Sequence, residues 1–194
     1  KRQSIKDLTI KEIIESVGNN GQAFCRALLD GGTDEENFVG QTLLVLEFDG
    51  DLKYREFKEK CEKYSLSYAF TYKTLGSCAN QKGFGAVFLM DRWIKNPALA
   101  KAANILLRAF FSPVGTECLN LGRYFLGGKG IIEKKPYAKI NIVELARNLE
   151  IYYWETKGRN NSKELKRLGK KSGICVKNGE LCIYNENEFD LEGI

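Results

Sequence analysis

The 194-residue chain contains no histidine. That absence excludes Ser/His and Cys/His nucleophile pairs and any metal site that needs an imidazole. Its six cysteines, Cys25, Cys61, Cys78, Cys118, Cys175 and Cys182, are scattered without a CxxC pair, so no zinc pattern exists either. They read as reduced, mostly buried thiols of a cytoplasmic protein. No run approaches the roughly 18–20 apolar residues of a membrane span, which leaves a membrane out of the expected partners. The opening KRQSIKDLTIKEII lacks the apolar centre of a signal peptide, and it lacks an initiator Met, which suits a piece of a longer chain. Internal repeats and low-complexity segments are missing too.

What is present is an ordinary globular composition, 43% hydrophobic and 28% charged, in a length that supports one core with a small appendage. The net charge of +5 is mild but unevenly spread. Residues 157–177 carry eight Lys/Arg and one acid, Glu164, whereas residues 180–192 carry five acids and no base. A local basic patch suits a polyanion, and equally a solvated helix face.

Hydrophobic periodicity and punctuation give an order of elements. Thr9 and Glu12 form a capping box for a short helix with Ile10, Ile13, Ile14 and Val17 on its apolar stripe, ending near Gly18. The segment GQAFCRALLDGGTDEENFVG reads as a long irregular approach. A strand is expected over 41–49, a helix over 53–64 with Phe57 and Cys61 inward, and strands over 67–73 and 84–90. A helix opened by Asn96-Pro97 and running to residue 111 comes next, then a short strand, RYFLGG, from Arg123. This β-α-β-β-α-β order predicts an α+β fold of the split βαβ type, an antiparallel sheet with two helices on one face. Helices over 142–154 and 162–171 follow, then a hairpin of ICVKNG and ELCIY turning at Asn178-Gly179. The expected organisation is an N-terminal helix and approach (1–40), a core (41–156), and a basic helix–hairpin appendage (157–194) joined through KGRNNSK.

The stretch LLVLEFDGD carries the chemistry. Glu47, Asp49 and Asp51 fall at every second position of the most hydrophobic strand, so they share one side. Two unit charges ~4 Å apart repel by about 4 kcal/mol at an effective dielectric of 20. A hard divalent cation reverses that sign, and Mg²⁺ is commonly held by one or two carboxylates plus substrate phosphates. Glu47 and Asp49 therefore read as a metal cradle with Asp51 as a candidate third ligand. The alternative for Asp51 is a turn residue that caps the helix beginning near Lys53.

Beyond this pair, FVGQTLLVLEFDG, then YAFTYKTLGSCANQKGFGAVFLMDR, then RYFLGGKG resemble in order and spacing the archaeo-eukaryotic-type primase (primase–polymerase) domain. The variety most resembled occurs in replication proteins of phages, plasmids and other mobile elements. The resemblance runs from about Gly21 to Tyr184. It implies an RRM-like catalytic palm in which Glu47-Phe48-Asp49 takes the place of the metal-binding acid pair, with Mg²⁺ or Mn²⁺ as cofactor if the domain is active and none otherwise. Several motif residues differ. Ser77 stands where a phosphate-binding His is usual, Gly85 where a basic residue is usual, and Gly115 and Asn120 where a further acid is expected. Arg123, Gly127 and Gly128 remain. Loss of a phosphate donor and of a metal ligand removes most of what drives phosphoryl transfer, so the resemblance implies a site with weak or lost catalysis. The competing possibility is that Asp51 and Glu117 rebuild the cage.

Lys73, Lys82, Arg123 and Lys129 are candidate phosphate contacts on an open sheet face, with Ser77 a weaker one. Tyr68, Phe70 and Tyr72 suit either base stacking or a sheet–helix core. Lys163, Lys166, Arg167, Lys170 and Lys171 form a candidate DNA-backbone contact, with Leu165 and Leu168 on the buried edge. The functional expectation is a primase–polymerase-like domain of a mobile-element DNA replication protein that binds single-stranded or template DNA. The resemblance implies a helicase domain in the same or an associated protein. Two alternatives stand beside it: an active primase–polymerase, and a scaffold domain that recruits protein and touches no nucleic acid.

Overall fold

The computed structural model describes residues 8–32, 35–50, 52–75, 83–111, 120–157, 161–177 and 180–183. Asp51, Ser77, Lys82, Gly115 and Glu117 lie outside that set, as does the turn at Asn178-Gly179.

Helix α1 (Ile10–Ile13) begins at the expected capping box: Thr9 accepts from the Glu12 amide while the Glu12 carboxylate accepts from the Thr9 amide at 2.7 Å. It continues not as α-helix but as a six-residue π-helical turn over Ile14–Asn19. The segment expected to be irregular holds two short strands, β1 (Phe24–Cys25) and β2 (Ala27–Leu29). Then come β3 (Phe38–Phe48), α2 (Tyr54–Lys63), β4 (Phe70–Thr74), β5 (Phe84–Ile94) and α3 (Pro97–Ala109). The N-cap of α2 is Lys53 itself, whose amide donates to Glu56 Oε2 at 3.4 Å, so the cap falls two residues beyond Asp51. Helix α3 starts as the sequence predicts, with the Asn96 side chain accepting from the Ala98 amide at 2.9 Å and Pro97 in its first turn.

The last core strand is not where it was expected. The YF of RYFLGG forms only the two-residue β6 (Tyr124–Phe125), which pairs with β1. The long strand is the next one, β7 (Gly128–Lys134), paired with β4. The main sheet has the order β2-β3-β5-β4-β7 with every neighbouring pair antiparallel. Strands β3 and β4 are both antiparallel to β5, which lies between them, so β3-α2-β4 is a split βαβ unit within an α+β fold. Helices α4 (Ile142–Lys157) and α5 (Asn161–Ser172) and the hairpin β8 (Ile174–Lys177)–β9 (Glu180–Ile183) complete the chain.

Alternation along β3 divides the core in two. Leu44, Leu46 and, from β5, Phe84 and Phe88 pack with Phe57 of α2, Leu107 of α3 and Leu145 of α4. Within this cluster the Phe57 ring lies 5.3 Å from both Phe84 and Phe111. Leu168 of α5 is buried in the same cluster. On the opposite face, Leu43 and Val45 pack with Phe70, Tyr72 and Val87 under Ile13, Ile14, Val17, Phe24 and Phe125. That face is therefore not open along its length. The N-terminal turn and the β1–β6 pair cover it, burying Phe70 and Tyr72, while Tyr68 is buried in the helix-side cluster; with at most 2% exposure, the three are core residues rather than a base-stacking platform.

Candidate functional site

Residue 47 keeps the parity of Leu43 and Val45, so Glu47 shares the face covered by the N-terminal segment, at the end of β3 beyond Val45, and Asp49 follows just past the strand end. Glu47 is half-buried and Asp49 is exposed. Across the sheet, Glu47 pairs with Gly85 of β5, and Gly85 pairs with Tyr72 of β4. This row shows why residue 85 is a glycine. A Cβ at Gly85 would lie 2.2 Å from Tyr72 Cζ, so the phenol end of that ring occupies the space that a side chain at 85 would need. The ring is held there, since Tyr72 Oη donates to the Leu126 carbonyl at 3.2 Å, and Gly128 leaves room for its other edge, where a Cβ would lie 2.6 Å from Tyr72 Cδ2. Burial, with a smaller push from Glu47, raises the Tyr72 phenol well above its usual range. Tyr72 is thus a neutral wall beside the acids.

The loop before β6 brings in the cation. Arg123 Nη2 lies 3.6 Å from Glu47 Oε2, and its guanidinium sits 5.2 Å from the centre of the Phe125 ring. Burial raises the Glu47 pKa, the Arg123 charge pulls it back in part, and Asp49 raises it further. Tyr124 and Leu126, 52% and 61% exposed, flank this arrangement.

The donor set suits a hard divalent ion. Glu47 and Asp49 would supply oxygen ligands, and such an ion takes water and phosphate oxygens for the rest of its sphere. Among the described residues, no group of three or more His, Cys, Asp or Glu side chains is placed to hold a metal.

The remaining candidates separate. Lys73 pairs with Phe84, whose side chain belongs to the helix-covered face, so Lys73 points away from Glu47 and does not join the expected phosphate set. Lys129 is exposed on β7. Ser77, Lys82 and Asp51 lie outside the described residues. On α5, Lys163, Arg167 and Lys170 are exposed and Lys166 is half-buried, while Leu168 faces the core. The side chains of Leu165 and Lys171 lie outside those described.

Sequence reasoning missed two contributors. Tyr72 was legible as core but not as the wall that fills the place of residue 85. Arg26 carried no signal, because a lone arginine in RALLDGG resembles a surface charge, yet it is 4% exposed.

No family model matches the chain, and no curated protein matches it. Among solved structures it is similar to the AEP domain (PP-N190) of the primase-polymerase (PrimPol) of cyanophage S-2L. The two share 17% identity with a TM-score of 0.46, over 63% of this chain and 68% of that one. A likeness at that level decides nothing about the site. No described helix is long and apolar enough to cross a membrane.

Proposed function

We propose that the chain is a primase–polymerase-like domain of a mobile-element DNA replication protein, binding template or single-stranded DNA, with weak or lost catalysis. The observation that carries the reading is the row Arg123–Glu47–Gly85–Tyr72 at the end of the first core strand of a split βαβ unit. Glu47 and Asp49 would hold Mg²⁺ or Mn²⁺, which when bound neutralises phosphate oxygens. Arg123, already beside Glu47, is positioned to meet a phosphate. In this reading catalysis is weak because no third carboxylate joins the pair among the described residues and Tyr72 puts a neutral ring where the resemblance has a basic donor. The exposed Lys163, Arg167 and Lys170 of α5 would add sequence-independent attraction to the DNA backbone. In this reading a helicase domain of the same or an associated protein supplies the strand separation.

Nucleotide incorporation on primed and unprimed templates with Mg²⁺ or Mn²⁺, comparing the natural chain with Asp49→Ala, tests the site. The expected result is little or no synthesis in either. Robust synthesis lost in the variant would establish an active enzyme instead. Single-stranded DNA binding that is absent even at low salt would favour a protein-recruiting scaffold.

A further inference from the structure

A buried polar chain connects the strand that carries Glu47 to the loop that carries Arg123. It begins in β3, where Gln41, fully buried, donates through Nε2 to the Leu43 carbonyl at 2.7 Å. Asn104 of α3 donates to Gln41 Oε1 at 3.4 Å and to the Ala100 carbonyl at 2.7 Å. Its own oxygen accepts from Arg26 Nη1 at 2.8 Å. The other arm of Arg26 donates from Nη2 to the Asn120 carbonyl at 2.7 Å. Its guanidinium lies 5.6 Å from the centre of the Phe125 ring, the ring that Arg123 also approaches.

Neighbours of Arg26 grip the same segment. Cys25 Sγ donates to the Leu121 carbonyl at 3.5 Å, and the Phe24 and Phe125 rings lie 5.7 Å apart. Residues 24–26 thus hold 120–125 at three points, with Arg123 between them. A guanidinium suits this task because its planar fork keeps two donors in fixed relative directions, which an ammonium does not. Burying a charge is costly, and at 4% exposure Arg26 offsets that cost through hydrogen bonds to Asn104 and the Asn120 carbonyl.

We propose that Arg26 is a positioning residue for the Glu47/Asp49 site: it sets the place of Arg123 by fixing the Asn120–Phe125 segment relative to β3. This rests on the reading of Arg123 as the phosphate contact. Arg26 itself touches no ligand. It follows that the N-terminal approach segment is part of the functional unit.

The test is a double-mutant cycle in the full chain. A fluorescent deoxynucleoside triphosphate with Mn²⁺ is the probe, followed by anisotropy. Arg26→Lys, which keeps the charge but not the fork, is expected to weaken binding about tenfold in the natural background and less than about twofold in an Arg123→Ala background. A purely structural defect would cost the same in both, and that result would overturn the proposal. Arg26→Met serves as a second variant, with thermal unfolding to confirm that each protein is folded. Hydrogen exchange at the Arg123 Nε–H, read by ¹⁵N NMR without ligand, separates this claim from the one beneath it. Faster exchange in both Arg26 variants supports positioning even if the natural chain binds no triphosphate, in which case it is the functional reading that fails. Unchanged exchange overturns the positioning role whatever the binding result.

Discussion

Glu133 and Glu47 sit on opposite faces of one sheet, and their surroundings could hardly differ more. Glu133, on β7, accepts from Tyr54 Oη at 3.0 Å and pairs with Lys58 at 3.0 Å and Lys135 at 3.2 Å. Burial opposes its ionisation, but Lys58, Tyr68, Lys135 and Tyr54 outweigh burial and hold its pKa at about 2. Glu47 is also partly buried, yet the Arg123 guanidinium stands 3.6 Å away and does not offset the burial, so its pKa is raised. The first carboxylate has its charge satisfied by the fold and fastens α2 to the edge of the sheet. The second is held in a place where its charge is disfavoured until more positive charge arrives. The difference suits a structural role for the first and, in the function proposed above, a ligand-binding role for the second.

The largest expected effect concerns the face that Glu133 belongs to. Phe57→Ala should cost about 3–5 kcal/mol in urea unfolding, because the ring is fully buried among Phe84, Phe88 and Phe111. A loss under about 1 kcal/mol would mean that the aromatic cluster does not hold the sheet and its helices together.

Next comes the direct contrast between the two acids. Glu133→Gln should cost about 2 kcal/mol at neutral pH, discounted for its partial exposure, since it removes a charge that three partners stabilise. Glu47→Gln should leave stability unchanged or raise it slightly, because the native pocket disfavours the charged form. Equal losses in the two variants would erase the distinction.

The pH dependence carries the same contrast. Glu133 has a native pKa of about 2, below its ordinary value of 4.5. The native state therefore binds this proton less readily than the unfolded chain does. Its contribution is present in full above about 4.5 and is lost as pH falls towards about 2. Unfolding midpoints measured across that window should drop less steeply in Glu133→Gln than in the natural chain.

The smallest effect belongs to the surface. Arg167→Ala on α5 should weaken single-stranded DNA binding modestly and reduce the slope of log affinity against log salt by about 1. A shift that depends on DNA sequence would contradict a backbone contact.

Local chemistry explains how much of this was legible. The Thr9–Glu12 box, the Asn96-Pro97 start, and the alternation that puts Glu47 on the face of Leu43 and Val45 all act over a few residues, so their signals are written where they operate. The same rule separates Lys73 from Glu47. Its parity is opposite to that of Tyr72, and cross-strand pairing with Phe84 puts it on the helix face. Strands β1 and β2 were invisible for another reason. Two- and three-residue strands exist only because distant partners supply their hydrogen bonds, β6 for one and β3 for the other.

By itself the sequence determined the chemical inventory: no imidazole, a pair of carboxylates at the end of the most hydrophobic strand, and a basic helix with one apolar edge. Only the tertiary structure decided which groups meet. It took Arg123 from a loop far along the chain to Glu47, let Tyr72 fill the space left by Gly85, and buried Arg26 between Asn104 and Asn120. Charge and periodicity are properties of neighbours in the chain. Desolvation and long-range pairing are set by everything that packs around a residue, and that is fixed only when the sheet is assembled.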